Sequence, residues 1–107
     1  MKPQLAAFLI GTCVAAFPLR AQEAAEHSYV PPSGFVPDSA TAVAIAVAVW
    51  IPIYGRDQIR TEAPYGAQLK ADRWVVTGSL PPNTIGGVAL AEIAKSDGRI
   101  LRVSHGR

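Results

Sequence analysis

The stretch TAVAIAVAVWIPIYG, Thr41 to Gly55, carries no charged side chain and places alanine or a β-branched residue at most positions. Such a segment has to be buried on at least one side, so its conformation decides the architecture. Val43, Ile45, Val47 and Val49 alternate with alanine, and strict alternation favours a strand. Three features outweigh that pattern. Asp38 follows Pro37 and precedes a small polar turn, which suits a helix N-cap. The run is long beside a usual strand of about 5–6 residues. Alanine at 40, 42, 44, 46 and 48 favours helix on intrinsic propensity. The segment therefore reads as a helix from about Ser39 to Trp50, loosened near Pro52 and ending at Gly55. Ala42, Ile45, Ala46, Val49, Trp50 and Ile53 then share one broad face, with Val43, Ala44 and Val47 partly outside it. A membrane span needs roughly 20 apolar residues. This run is shorter, and Pro52 and Arg56 end it.

The chain beyond the helix is predicted to supply its cover. GRDQIRTEAP reads as a charged loop, with Asp57 and Glu62 in solvated pairs with Arg56 and Arg60. YGAQLKADRWVVTGSL reads as a hairpin turning at Ala71 and Asp72. Tyr65, Ala67 and Leu69 face one way, and Trp74, Val76 and Leu80 continue that face. PPNTIGG interrupts the sheet. VALAEIAKSDGRILRVSHGR is a second hairpin, because Gly98 in SDG takes a positive φ at low cost. Ala89, Ala91 and Ile93 share a face with Leu101 and Val103, leaving Glu92, Lys95, Arg99 and Arg102 mostly solvated. The predicted fold class is α+β: one apolar helix packed on a four-stranded antiparallel sheet. Alanine on the helix permits a close approach, and Trp50, Trp74 and Tyr65 supply much of the buried area.

The N-terminus has a different character. MKPQLAAFLIGTCVAAFPLRAQ has one lysine, an apolar stretch from Leu5 to Phe17, and a small residue at Ala21. That is the layout of a secretory signal peptide over residues 1–21. Residues 22–37, with three prolines and a glycine, read as a linker, and 38–107 as the folded domain. Removing Lys2 and Arg20 from ten basic residues leaves eight, against eight acidic ones. A neutral mature chain argues against nucleic acid, whose phosphates call for a surplus of Lys and Arg. Cleavage also removes Cys13, the one cysteine, and with it disulfide and thiolate chemistry. The expected location is the periplasm or the exterior, with no stable membrane insertion after cleavage.

At these residues the chain resembles a known family. VPDSATAVAIAVAVWIPIYG, LKADRWVVTGSLP and GGVALAEIAKSDGRILRVSHGR, in that order, look like the nuclear transport factor 2-fold immunity proteins of bacterial polymorphic toxin systems. The resemblance covers about residues 35–107. It implies a small cystatin-like, nuclear transport factor 2-like unit that neutralises a cognate toxin by binding it. Relatives carry charged residues among the helix positions held here by Ala44 and Val47. Their replacement by apolar side chains nominates Ala44 and Val47 as contacts to a partner, either the toxin or a second copy in a homodimer.

Chemical motifs are sparse. His27 falls in the linker. His105 follows Ser104, but adjacency alone makes no triad, and its expected role is structural or solvated. With no mature cysteine and two distant histidines, no metal-ligand spacing appears. Gly86-Gly87 lacks the Gly-Lys-Ser/Thr of a phosphate loop and reads as a bend or bulge. No catalytic, cofactor-binding or metal-binding residue is predicted. The function expected is therefore an exported, non-enzymatic binding protein of the immunity kind. The alternative is a cystatin-like periplasmic module that binds peptides or inhibits a protease through a sheet edge.

Overall fold

The computed structural model describes residues 27–106; the expected signal peptide lies outside them. Helix α1 spans Ser39–Tyr54 and helix α2 spans Arg56–Thr61. Four strands complete the chain: β1 (Gly66–Lys70), β2 (Arg73–Thr77), β3 (Ala89–Ala94) and β4 (Ile100–His105). They form one antiparallel sheet in chain order, β1-β2-β3-β4. The α+β class and the helix-on-sheet arrangement are as the sequence predicts.

Asp38 starts α1 as expected. Its extended backbone and its Oδ1, which accepts from the Thr41 amide at 2.8 Å, satisfy one of the donors a helix start leaves free. The Thr41 hydroxyl, which donates to the same oxygen at 2.6 Å, and then the Thr41 amide hold the Asp38 carboxyl below its usual value. Gly55, at φ 97°, ends α1 by donating its N–H to the Ile51 carbonyl at 2.8 Å. Its own carbonyl accepts from Ile59 at 3.1 Å and opens α2. The expected charged loop is thus a short helix. Ile59 explains the difference: at 1 % exposure it belongs to the core and pins the segment down.

The face of α1 that packs on the sheet is narrower than predicted. Ala42, Ala46 and Trp50 are fully buried, whereas Ile53 is 56 % exposed. Val43, Ile45, Val47 and Ile51 flank the buried line and pack on the core partly exposed. Small side chains at 42 and 46 let the helix lie close on Trp74, Val76, Ala91 and Ile93, the sheet's inner face. Trp50 donates its ring N–H to the Leu90 carbonyl at 3.3 Å, and its ring tilts against Tyr65 at 5.9 Å.

Lys70 pairs with Arg73, so Ala71 and Asp72 form the two-residue turn expected. Ala71 sits at φ 57°, which glycine tolerates better than alanine. β2 stops at Thr77, and Leu80 lies beyond the sheet. In the second hairpin, Ala91 pairs with Val103 and Ala89 with His105, but a register shift falls between Glu92 and Ile93. Ile93 pairs with Ile100, which makes Leu101 the extra residue of β4 instead of a regular inward position. On the outer face Glu92 is not simply solvated. It is half-buried between Arg73 (2.9 Å) and Arg102 (3.5 Å). These arginines hold its carboxyl below the ordinary value.

Ahead of α1, residues 34–36 are tied to the second hairpin. Phe35 and Val36 donate to the Ser96 and Lys95 carbonyls at 2.9 and 3.1 Å, and the Trp74 ring N–H donates to the Val36 carbonyl at 2.8 Å. A Cβ on Gly34 would lie 2.5 Å from the Lys95 carbonyl oxygen, so this approach needs glycine. Among the described residues no helix is long and apolar enough to cross a membrane.

Candidate functional site

Two features on the helix side of the sheet set what the domain can do. The first is a buried acid. Glu62, the residue that ends α2, is 2 % exposed and does not pair with Arg56 or Arg60 as expected. Its Oε1 accepts the Ala89 backbone N–H at 2.7 Å. Its Oε2 accepts from Gln58 Nε2 at 3.0 Å and from His105 Nε2 at 2.7 Å. Its main-chain carbonyl accepts from Ser79 at 2.7 Å. The local chain explains the inward turn. β2 ends at Thr77; Gly78 still donates to the Ala89 carbonyl at 3.0 Å, but the Ala89 amide at the head of β3 takes the carboxylate as its acceptor in place of a strand carbonyl. Gly78 makes room: a Cβ there would lie 2.6 Å from Glu62 Oε1 and 2.9 Å from its Cβ.

His105 reaches this carboxylate because it pairs with Ala89 and so shares the inner face. Its Nδ1 lies 2.9 Å from the Gly106 carbonyl, and its ring tilts against Tyr54 at 5.0 Å. A carbonyl and a carboxylate only accept, so both ring nitrogens have to donate, which favours the imidazolium. The Glu62 carboxylate, then the Gly106 carbonyl, accordingly raise the His105 pKa. Burial pushes the Glu62 carboxyl up. The Ala89, Gln58 and His105 donors together outweigh that and hold it below its usual value. The expectation of Glu62 in a solvated pair with Arg56 or Arg60 is corrected by this buried contact, in which His105 takes a structural role. Period two carried the signal for His105, which lies two residues after inward Val103. Nothing local marked Glu62.

The second feature is a cavity of about 180 Å³ where α1, α2 and the start of β1 meet. Val47, Ile51, Ile59 and Tyr65 line it, and Arg56 and Arg60 stand at its edge. The Tyr65 hydroxyl donates to the Ile59 carbonyl at 2.7 Å and fixes α2 against β1. Of the two residues nominated as partner contacts, Ala44 is exposed on α1, while Val47 is half-buried against the core and lines this cavity. No group of three or more potential metal ligands occurs among the described residues.

Comparison with known proteins fits this architecture. The family model for NTF2 fold immunity proteins matches residues 41–107, from the first turn of α1 to the end of the chain. The chain belongs to the NTF2 fold immunity protein family. The match takes in both helices and all four strands, and therefore both Glu62–His105 and the α1–α2 cavity. An uncharacterized protein of Escherichia coli strain K12, YhhH, is 44 % identical over 55 residues, which are 50 % of this chain and 43 % of that protein. The chain thus spans less than half the length of that relative. No solved structure matches the chain.

Proposed function

We propose that this member of the immunity family neutralises a cognate bacterial toxin by binding it directly, and that it does so after export to the periplasm or the exterior. The observation that carries the reading is the family match across the whole helix-and-sheet unit. The site geometry supports binding over catalysis. Each Glu62 oxygen is already engaged, and both ring nitrogens of His105 face acceptors. A general base needs a free lone pair within reach of a substrate proton. The Glu62–His105 pair fastens α2 to β3 and β4. The signal-like N-terminus supports export.

The test is co-expression of the full chain with the toxin encoded beside it. Restored growth and a stable complex on gel filtration are the expected results. Toxicity unchanged and no complex would refute the reading. Rescue only by a leaderless chain confined to the cytosol would refute the export part.

A further inference from the structure

The cavity between α1 and α2 combines two chemistries that the fold itself does not use together. Its floor is apolar: Val47 and Ile51 from α1, Ile59 from α2, and Tyr65 before β1. Its rim is basic. Arg56 and Arg60 are four residues apart on α2, hence on one side of it, and both are exposed. Neither is ion-paired with any acidic side chain among the described residues. Asp57, exposed between them on α2, pairs with neither, and Glu62 is turned inward and held by Ala89, Gln58 and His105, so the two arginines outnumber the one acid left on this helix surface. Two like charges left side by side raise the local potential and attract an anion.

Size narrows the occupant. An apolar cavity of about 150 Å³ takes a benzene-sized group, and this one measures about 180 Å³. It accommodates one branched or aromatic side chain. A small inorganic anion would meet the arginines and leave the apolar floor wet. A purely apolar group would fill the floor and leave two guanidiniums facing low-dielectric surface. An apolar side chain flanked by carboxylates satisfies both, since a guanidinium fork matches a carboxylate. The surface also continues beyond the cavity: Ala44, Val47, Ala48 and Ile51 fall at helical spacing on α1, with Ala44 and Ala48 exposed.

We infer that the α1–α2 cavity with its Arg56 and Arg60 rim is where the toxin docks, through an acidic segment that inserts one apolar side chain. This rests on the immunity reading and names the surface that reading leaves open. Carboxylates of the segment sit on the arginines, its anchor sits on Ile59 and Tyr65, and the α1 stripe around Ala44 lies under the adjoining partner surface.

The experiment is an NMR titration of the full chain with the capped tripeptide acetyl-Glu-Leu-Asp-amide, beside acetyl-Lys-Leu-Lys-amide, sodium acetate and inorganic phosphate. The acidic peptide should shift signals of Val47, Ile51, Ile59 and Tyr65. Binding should weaken at least tenfold in the Arg56→Glu/Arg60→Glu double variant, and also in Arg56→Gln/Arg60→Gln, which removes charge without reversing it. It should weaken further as salt is raised. Equal shifts with the basic peptide, the same shifts from acetate or phosphate alone, or no shifts at these residues would overturn the proposal. Calorimetry with the purified toxin separates the two levels. If the toxin binds the native chain and the double variants equally well, the docking surface is wrong and the immunity reading stands. If the toxin does not bind the native chain, the immunity reading fails and the docking proposal falls with it, whatever the peptide does.

Discussion

Replacing Glu62 with glutamine keeps the shape of the side chain and removes its charge, which makes it the sharpest probe of the polar knot under the sheet. Glu62 accepts three hydrogen bonds, at 2.7, 3.0 and 2.7 Å. Glutamine has one acceptor oxygen. If that oxygen serves the Ala89 amide, the new NH2 faces Gln58 and His105. Gln58 is exposed and can rotate its amide. His105 can comply only by losing the proton at Nε2, so the variant forces the ring neutral. The wild-type His105 pKa is raised in the fold, so its contribution to stability is complete below the ordinary imidazole value of about 6.5 and fades as pH rises through the raised value. The Glu62 pKa is lowered, so its contribution is present above the ordinary carboxyl value of about 4.3 and is lost as pH falls through the lowered one. The pair therefore stabilises most between about pH 4.3 and 6.5.

Breaking a fully buried pair costs about 3–5 kcal/mol, but His105 keeps 23 % of its side chain in solvent. A loss of about 2–3 kcal/mol near pH 5.5 is the scaled expectation, and about 1 kcal/mol near pH 8.5, where one hydrogen bond remains at stake. For a domain of this size each kcal/mol moves Tm by about 4–8 °C. Urea or thermal unfolding of the native chain and Glu62→Gln across this pH range reads the difference directly. A loss that is the same at pH 5.5 and 8.5, or no loss at all, would refute the charge argument.

Other substitutions probe the rest of the frame. Gly78→Ala drives a Cβ to 2.6 Å from Glu62 Oε1, so it should cost about 1–3 kcal/mol in urea unfolding and lower the His105 NMR titration midpoint. Trp74→Phe removes the 2.8 Å bond to the Val36 carbonyl. It should speed hydrogen exchange at the Phe35 and Val36 amides and cost about 1–2 kcal/mol. Ala46→Leu inserts volume where α1 meets the sheet at zero exposure; a loss of about 1–3 kcal/mol in chemical unfolding is expected, and a neutral result would mean the layers separate without penalty. Ala71→Gly relieves a positive φ in the β1–β2 turn and should raise Tm, with a gain up to about 1 kcal/mol.

Local pattern carried most of the architecture. The α1 segment is legible because alanine content and the Asp38 cap act within a few residues, and both hairpins are legible because alternation and turn residues are adjacent in the chain. Helix α2 was hidden because RDQIRT has a single apolar residue. Only the core waiting for Ile59 makes that segment helical. Likewise Leu101 looked regular until the register shift at Glu92/Ile93 took it out of the ladder.

By itself, then, the order of residues determined the α+β class, the two hairpins and the family resemblance, since these depend on short-range periodicity and contiguous motifs. The tertiary structure alone decided that Glu62 and His105 meet across 43 positions of chain, and that Arg56 and Arg60 are left facing an apolar hollow. The first turns on the end of β2: past Thr77 the Ala89 amide takes the Glu62 carboxylate as its acceptor. Hydrogen-bond satisfaction at a strand end is a property of the assembled sheet, which no stretch of sequence contains.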